Sequence, residues 1–252
     1  MRYRKVGAEK HMSAEMIKAV AQVITALAWP TVILILLLTH RDSLAEVVRN
    51  LESIRVPGGA EIKIRNVVSN EARQIEQGDP EAAKRLTQQQ FEAAARVARV
   101  AGNTDISVVR RQVQDLAGEY EAIRASLPSG DERTRRMETV VTKMRTLSRA
   151  ALPLLLELTR SPSPGERLAA IATLQMAPRP DYLSWLAERF RTEKPFIQFH
   201  AAVALLSAAR VLDHSHASDL KVAIRSAREA IGELKGSDRW NVLDAAEREL
   251  AT

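Results

Sequence analysis

The sequence contains no cysteine, few aromatic residues and little glycine or proline. Without cysteine the chain cannot form a disulfide, a cysteine-based zinc site or a thiol nucleophile. Aromatic residues make up only 4% of the chain, and 10 Gly and 10 Pro are spread over 252 residues, too few for the frequent turns of a β-sandwich. Much of the hydrophobic 46% is Ala and Leu. Because Ala, Leu, Glu and Arg lose little rotamer freedom in helices, this composition predicts a mostly α-helical protein.

Motifs for catalysis and cofactor binding are also missing. The sequence has no G-x-x-x-x-G-K phosphate loop, no G-x-G-x-x-G, no H-E-x-x-H and no G-x-S-x-G. His214 and His216, with His200 upstream, come closest to a metal site. However, the pair lies in a polar loop with no carboxylate at ligand spacing on a helix. We therefore predict a protein that is not an enzyme and that holds no cofactor or metal.

One long apolar run is present near the N-terminus. Residues 19–39, AVAQVITALAWPTVILILLLT, carry no charge and would reach about 32 Å as a helix, enough for a hydrocarbon core of about 30 Å. A secretory signal would have a shorter apolar stretch followed by a small-residue cleavage site. This run ends instead in Leu-Leu-Thr-His-Arg. It predicts a transmembrane helix that stays attached, preceded by a basic tail at residues 1–18.

Polar and helix-bending residues lie inside this run. Pro30, directly after Trp29, removes one backbone hydrogen bond and bends a helix. The bend is either harmless or a packing notch for self-association. In the second case Gln22 and Thr25 would form hydrogen bonds across neighbouring helices. These four residues are the candidate packing site of the span, and they predict a homo-oligomer.

The residues beside the span give conflicting indications of its orientation. Five cations precede it and three follow it over a similar length, so the positive-inside rule places the main domain outside the cytoplasm. The segment RDSLAEVVRNLESIRVPGGAEIKI, however, resembles that of bacterial single-span proteins. In those, a Trp-Pro span leads into an amphipathic helix, a Gly turn and a short strand, and the domain is cytoplasmic. On this resemblance we expect a single-pass protein of the bacterial inner membrane with its main domain in the cytoplasm.

Residues 40–130 are expected to form a connector of helices with one short strand. Residues 43–55 have the apolar spacing of an amphipathic helix, which a Pro-Gly-Gly turn ends. Residues 60–65, AEIKIR, alternate between polar and apolar, and this alternation predicts a strand. Two further helices are expected at 81–100 and at about 106–127.

Residues 131–252 are expected to form a more hydrophobic helical domain. Three of its breaks contain proline. Helices are expected at 132–160, with a bend at Pro153, and at 165–177, 181–192, 195–212, 218–235 and 238–250.

An internal repeat lies in this domain. The segment LAAIATL, which begins at Leu168, aligns with HAAVALL, which begins at His200, at an offset of 32. Small alanine faces let successive helices approach closely. LPLLLELTRSPSPGERLAAIATL and YLSWLAERFRTEKPFIQFHAAVALL resemble HEAT-type helical repeats, which implies a C-terminal HEAT-like domain. Arg167 and Gln198 flank the aligned helices and are expected to be exposed.

A cluster of cations opens the same domain. Next to Arg133, the candidate patch for an anionic ligand consists of Arg135, Arg136, Lys143, Arg145 and Arg149. Acidic residues between them leave two alternatives: a solvated helix face, or a site for a nucleotide second messenger or a lipid headgroup. Nucleic acid is not an expected partner, because no aromatic residues interleave these cations.

These features predict a non-enzymatic, membrane-tethered interaction or signalling protein. Its partners would be membrane lipids and a protein that the sequence does not identify. Helical repeat domains offer concave binding surfaces, and the chain resembles span-plus-helical-domain proteins of bacterial signalling and defence modules. That resemblance implies a membrane effector of a defence or stress module. The alternative is a structural anchor or assembly subunit of a bacterial envelope complex.

Overall fold

The structure is a computed structural model. It describes residues 59–78, 86–102, 104–232 and 236–251. The span expected at 19–39, with its candidate packing residues, and the amphipathic helix expected at 43–55 lie outside the described residues. Within the described part of the chain, no helix is both long enough and apolar enough to cross a membrane.

The described chain is almost entirely helical, as the composition predicts. In chain order the helices are α1 (Gly59–Gly78), α2 (Gln88–Ala101), α3 (Ile106–Ser126), α4 (Asp131–Ala151), α5 (Leu155–Arg160), α6 (Pro164–Met176), α7 (Leu183–Thr192), α8 (Pro195–Val211), α9 (Ala217–Ile231) and α10 (Asp238–Glu249). Short 3-10 turns precede α5, α7 and α9, at Leu152–Leu154, Pro180–Tyr182 and His214–His216. The first of them contains Pro153, where the sequence indicates a bend. The helices expected after residue 131 are confirmed to within a few residues.

Residues 60–65 open α1, so the predicted strand is wrong. Ile64 and Val68 are buried one turn apart, and burial continues along the same face at Ala72 and Ile75. Ile62, which completes the apparent alternation, is 47% exposed. The alternation therefore reflects one buried and one exposed isoleucine, and the helical period that follows it determines the structure.

The hydrophobic core crosses the boundary that the sequence analysis placed at residue 130. Helix α4 packs against α1, α2 and α3 as well as against α6. The same core contains Ile64 and Val113 from before the boundary and Leu147 and Leu174 from after it. Helix α4 is buried on several sides because its apolar residues are not confined to one stripe. The compact unit begins at Gly58, so the helices before residue 130 form part of the domain rather than a connector to it.

Alternate helices stack side by side in a row. Helices α4, α6, α8 and α10 each pack against the next, and α7 packs against α9 in a second layer. The repeat segments on α6 and α8 are neighbours in this row. The hydroxyl of Ser207 donates a hydrogen bond to the backbone carbonyl of Gln175 at 2.7 Å, and these residues are 32 positions apart, which equals the repeat offset. The pair α9–α10 continues the pattern beyond the two units visible in the sequence.

The close approach of α3 and α6 requires a glycine. A Cβ atom built on Gly165 would lie 2.4 Å from the carbonyl oxygen of Ala117, well inside van der Waals contact. The turn before α6 is fixed to α3 as well, because the Glu121 carboxylate accepts hydrogen bonds from the Ser163 hydroxyl at 2.6 Å and the Gly165 amide at 3.1 Å.

Arg167 and Gln198 are not exposed, contrary to expectation. Arg167 pairs with Glu193 at 2.5 Å and also donates to a carbonyl of the preceding loop. The amide of Gln198 donates to the backbone carbonyls of Phe190 and Glu193, at 2.9 and 2.8 Å. Both residues stand in the first turn of a helix beside a chain reversal, where unpaired loop carbonyls must find donors. They therefore hold the helix connections together.

Candidate ligand-binding cleft

A cleft of about 860 Å³ opens where the N-terminal ends of α4, α8 and α10 meet the C-terminal end of α3. Charged and aromatic side chains form part of its lining. The cations are Arg124, Arg133 and Arg239, the aromatic rings are Phe196 and Phe199, and the carboxylates are Glu138 and Asp238. Its volume lies within the range of about 300–1,000 Å³ that is usual for small-molecule sites.

Neutral acceptors hold the three arginines of the cleft. Arg124 donates to the hydroxyl of Tyr120 at 3.3 Å. Arg133 donates to the hydroxyl of Ser129 at 2.6 Å and to a backbone carbonyl at 3.4 Å, and Arg239 donates to the side-chain oxygen of Gln198. Within the described chain no carboxylate is in ion-pair contact with any of the three. None of the three positive charges is therefore neutralised by an ion pair, which favours an anionic ligand.

Aromatic rings form a second wall of the cleft. Phe196 stacks on Tyr120 with ring centroids 5.9 Å apart and meets His200 edge to face at 4.6 Å. Phe199 also contacts His200 edge to face, at 5.3 Å. Phe196 and Phe199 are half-buried, so part of each ring remains available to a ligand. Tyr120 is buried, and this burial raises the pKa of its phenol and keeps the hydroxyl neutral.

Glu138 is one of the residues that line the cleft, and its carboxylate is buried against His200. The residue is only 6% exposed, and its Oε1 lies 3.4 Å from Nε2 of the fully buried His200. Its Oε2 has no hydrogen-bond partner among the described residues, and neither does the Nε2 atom of His200. Buried carboxylate oxygens almost always accept hydrogen bonds, because an unpaired one has lost its hydration without compensation.

A polar network lies behind Glu138 and joins three helices. Arg145 in α4 donates to the side-chain oxygen of Gln175 in α6 at 2.6 Å. Gln175 in turn donates to the backbone carbonyl of His200 in α8 at 2.7 Å. Arg145 is fully buried, and the loss of hydration lowers its pKa to about 10, against the opposing attraction of Glu138. The guanidinium therefore remains charged at neutral pH.

The structure does not bring the predicted anionic-ligand patch together. Arg135 and Arg136 are exposed and both pair with Glu132. Lys143 binds Glu119 at 2.9 Å. The other two members are Arg145, which is buried, and Arg149, which is exposed. The helical period distributes these five side chains around α4, and nearby acids neutralise three of them, so the five do not form one common cationic surface.

Of the sequence cluster only Arg133 lines the cleft. The other cleft cations, Arg124 and Arg239, come from α3 and α10. These residues are far apart in the sequence, and no local spacing relates them. Sequence reasoning therefore missed this grouping, because it depends on how distant helices pack.

The hydroxyl groups of the cleft serve the backbone. Thr134 donates to the carbonyl of Gly130 at 3.1 Å, and the hydroxyl of Ser237 caps α10 by accepting from the amide of Trp240 at 3.4 Å. Within the described residues no three His, Cys, Asp or Glu side chains are grouped as metal ligands, and His214–His216 form a 3-10 turn. The arrangement favours ligand binding, with an anion at the arginines and a planar group at the rings.

No protein-family model, curated protein or solved structure matches this chain. The interpretation of the cleft therefore depends on its own geometry and chemistry.

Proposed function

We propose that this chain is a non-enzymatic, membrane-tethered signalling protein of a bacterium, whose helical domain binds a small anionic ligand in the cleft. The observation that supports this most strongly is the group formed by Arg124, Arg133 and Arg239. Three arginines border one cleft, and none of them forms an ion pair with a carboxylate of the described chain. Cations on a partly apolar wall attract and orient an anion, and the effect is strongest where water is partly excluded.

The rest of the proposal follows from the sequence. The apolar run at 19–39 tethers the domain to the inner membrane as a single pass, with the domain in the cytoplasm and the basic tail beside lipid headgroups. The HEAT-like stacking of the helices provides a surface for a partner protein. Ligand binding in the cleft then controls the partner or the span, as a membrane effector of a defence or stress module would require. Packing of the span around Pro30 makes the active form a homo-oligomer.

Binding of a simple anion tests this function. Full-length protein in mild detergent is titrated with inorganic pyrophosphate at low salt, and binding is measured by calorimetry and by the rise in melting temperature. We expect binding that weakens as salt is added and that is lost in the double variant Arg124→Gln/Arg133→Gln. The matched control is Arg135→Gln/Arg136→Gln, which removes two exposed arginines outside the cleft and should bind like wild type. Equal binding by both double variants would refute the site.

The tether has a separate test. Full-length protein should stay with the membrane fraction through alkaline and high-salt washes, because about 20 buried apolar residues outweigh the charge interactions. A variant beginning at Gly58 should be released into the supernatant. Release of the full-length protein by salt alone would contradict the proposed membrane tether.

A further inference from the structure

We infer that the exposed face of α1 lies on an anionic lipid surface, held there by three cations and one isoleucine. This inference rests on the membrane tether of the proposed function and adds a second contact with the same bilayer. It does not depend on the cleft, since no residue of α1 lines that cleft.

The charges of α1 are separated by sign around the helix. The helix contains three acids and three cations, so its formal charge is zero. Glu61 pairs with Arg111 of α3 at 3.0 Å, and Glu71 pairs with Arg96 of α2 at 2.7 Å. The third acid, Glu76, is half-buried. No acid is therefore among the exposed residues of this helix.

The cations of α1 all face outwards. Lys63, Arg65 and Arg73 are exposed, and none of them forms an ion pair with a carboxylate of the described residues. The other exposed side chains of the helix are uncharged, and they are Ala60, Ile62, Asn66, Asn70, Gln74 and Gln77. A helix that is neutral in composition thus presents a surface on which every charge is positive, and such a surface attracts a polyanion.

An apolar side chain lies within this cationic surface. Ile62 is 47% exposed, and Arg73 follows it on nearly the same side, because eleven residues make about three helical turns. Long Lys and Arg side chains can reach phospholipid headgroups while an apolar side chain between them enters the boundary with the acyl chains. Nucleic acid fits this face less well, because α1 has no aromatic residue on which a base could stack.

The position of α1 in the chain keeps it within reach of the bilayer. The compact unit begins at Gly58, and only residues 40–58 separate it from the predicted span. A segment of this length reaches at most about 65 Å when fully extended. The tether therefore keeps the effective concentration of lipid at α1 high. An anionic surface then strengthens the contact roughly fivefold for each Lys or Arg that reaches it.

Fluorophores on the full-length protein test this contact. Because the chain has no cysteine, Asn66→Cys places a single label on the exposed face of α1, and Ser218→Cys places it at an exposed position of α9 as the control. Each protein is reconstituted into vesicles of phosphatidylcholine alone or mixed equally with phosphatidylglycerol, with a trace of lipid that carries a nitroxide quencher on its headgroup. We expect phosphatidylglycerol to increase quenching at position 66 by at least about twofold, an increase that high salt removes. Quenching at position 218 should change little.

Charge removal provides the second arm. Lys63→Gln/Arg65→Gln/Arg73→Gln, made in the protein labelled at position 66, should abolish the effect of phosphatidylglycerol, since three losses of about fivefold weaken the contact roughly a hundredfold. A matched control removes three exposed cations elsewhere in the domain and should keep the effect: Arg179→Gln/Lys221→Gln/Arg225→Gln. Circular dichroism establishes that both triple variants are folded, and the comparison of the two lipids needs neither of them.

The outcomes separate this inference from the proposed function. If the protein stays with the membrane but both labels respond alike to phosphatidylglycerol, or both triple variants lose the effect equally, the inference is wrong while the tether and the cleft stand. Quenching that is equal in both lipids, with binding of a DNA duplex or self-quenching of the label in its place, would assign the face to nucleic acid or to a second copy and overturn the inference. Release of the full-length protein by salt would remove the tether and the inference together.

Discussion

Arg145 holds a positive charge in the interior of the helical domain. It is fully buried and bonded to Gln175, and burial lowers its pKa from the ordinary value to about 10. A depressed pKa on a cation means that burial disfavours the charged form. The desolvation cost is therefore present at every pH below about 10 and declines only as the pH rises above that value.

Removing this side chain should destabilise the fold despite that cost. Arg145→Ala would leave the Gln175 oxygen buried without its donor and open a cavity, so we expect the free energy of unfolding to fall by about 3 kcal/mol. Arg149→Ala, one turn further along α4 and exposed, should change it by less than about 0.5 kcal/mol. Urea unfolding at pH 7 measures both. Similar losses in the two variants would mean that the buried bond contributes no stability.

The sequence could not assign these two arginines their different roles. Both belong to one cluster of cations on one helix, and polar spacing within a helix does not reveal burial when the helix is covered on several sides. The alanine positions of the repeat indicate burial more reliably than these arginines do. Ala170 and Ala202, at equivalent repeat positions, are both fully buried, because a small side chain at a helix crossing leaves no room for solvent.

At the scale of the helix, the contact between α3 and α6 can be tested with two substitutions that should change stability in opposite directions. Gly165→Ala would press a methyl group into the Ala117 carbonyl, 2.4 Å away, and should cost about 2 kcal/mol or more of unfolding free energy. Gly118 lies next to that contact in the middle of α3 and has nothing within 4 Å of a built Cβ. Gly118→Ala should therefore raise stability by about 0.5–1 kcal/mol. Melting curves that shift in the same direction for both variants would contradict this packing.

The repeat makes its own prediction. Ala170→Glu and Ala202→Glu should each lower the unfolding free energy by at least about 2–3 kcal/mol, because both positions would bury an unpaired charge in a filled space. Ala122→Glu, at an exposed helical position of α3, is the matched control and should be near neutral. If the two repeat variants have the same melting temperature as the control, α6 and α8 do not meet at these alanines.

The individual helices show where the sequence alone was sufficient to predict the structure. The helices between residues 131 and 211 could be predicted because proline marks their breaks, at Pro164 and Pro195 for example. The start of α1 could not, because Ile62 and Ile64 alternate with charged residues and only tertiary packing decides which of the two is buried. The cleft was beyond prediction for a related reason, since Arg124, Glu138 and Arg239 meet only after three helices have packed.

At the scale of the whole domain, one continuous core predicts the outcome of truncation. A variant beginning at Asp131 would lose α1, α2 and α3 and expose the surface of α4 that they cover. We expect it to aggregate or to lack a cooperative urea transition, whereas the variant beginning at Gly58 should unfold in a single transition. Size-exclusion chromatography and urea titration measure the difference. Equal transition midpoints would show that residues 131–252 fold independently.

The hydrogen bond between Ser207 and Gln175 has a consequence for alignment along the helix axes. Ala204 and Ala208 are both buried and lie one turn apart on α8, so a one-turn slip of α8 would put one alanine in the place of the other. The same slip of about 5.4 Å would move Ser207 and the His200 carbonyl away from Gln175. Buried polar groups would then be left without hydrogen-bond partners. Apolar burial holds α6 and α8 together, and the buried polar groups fix the position of one helix along the axis of the other.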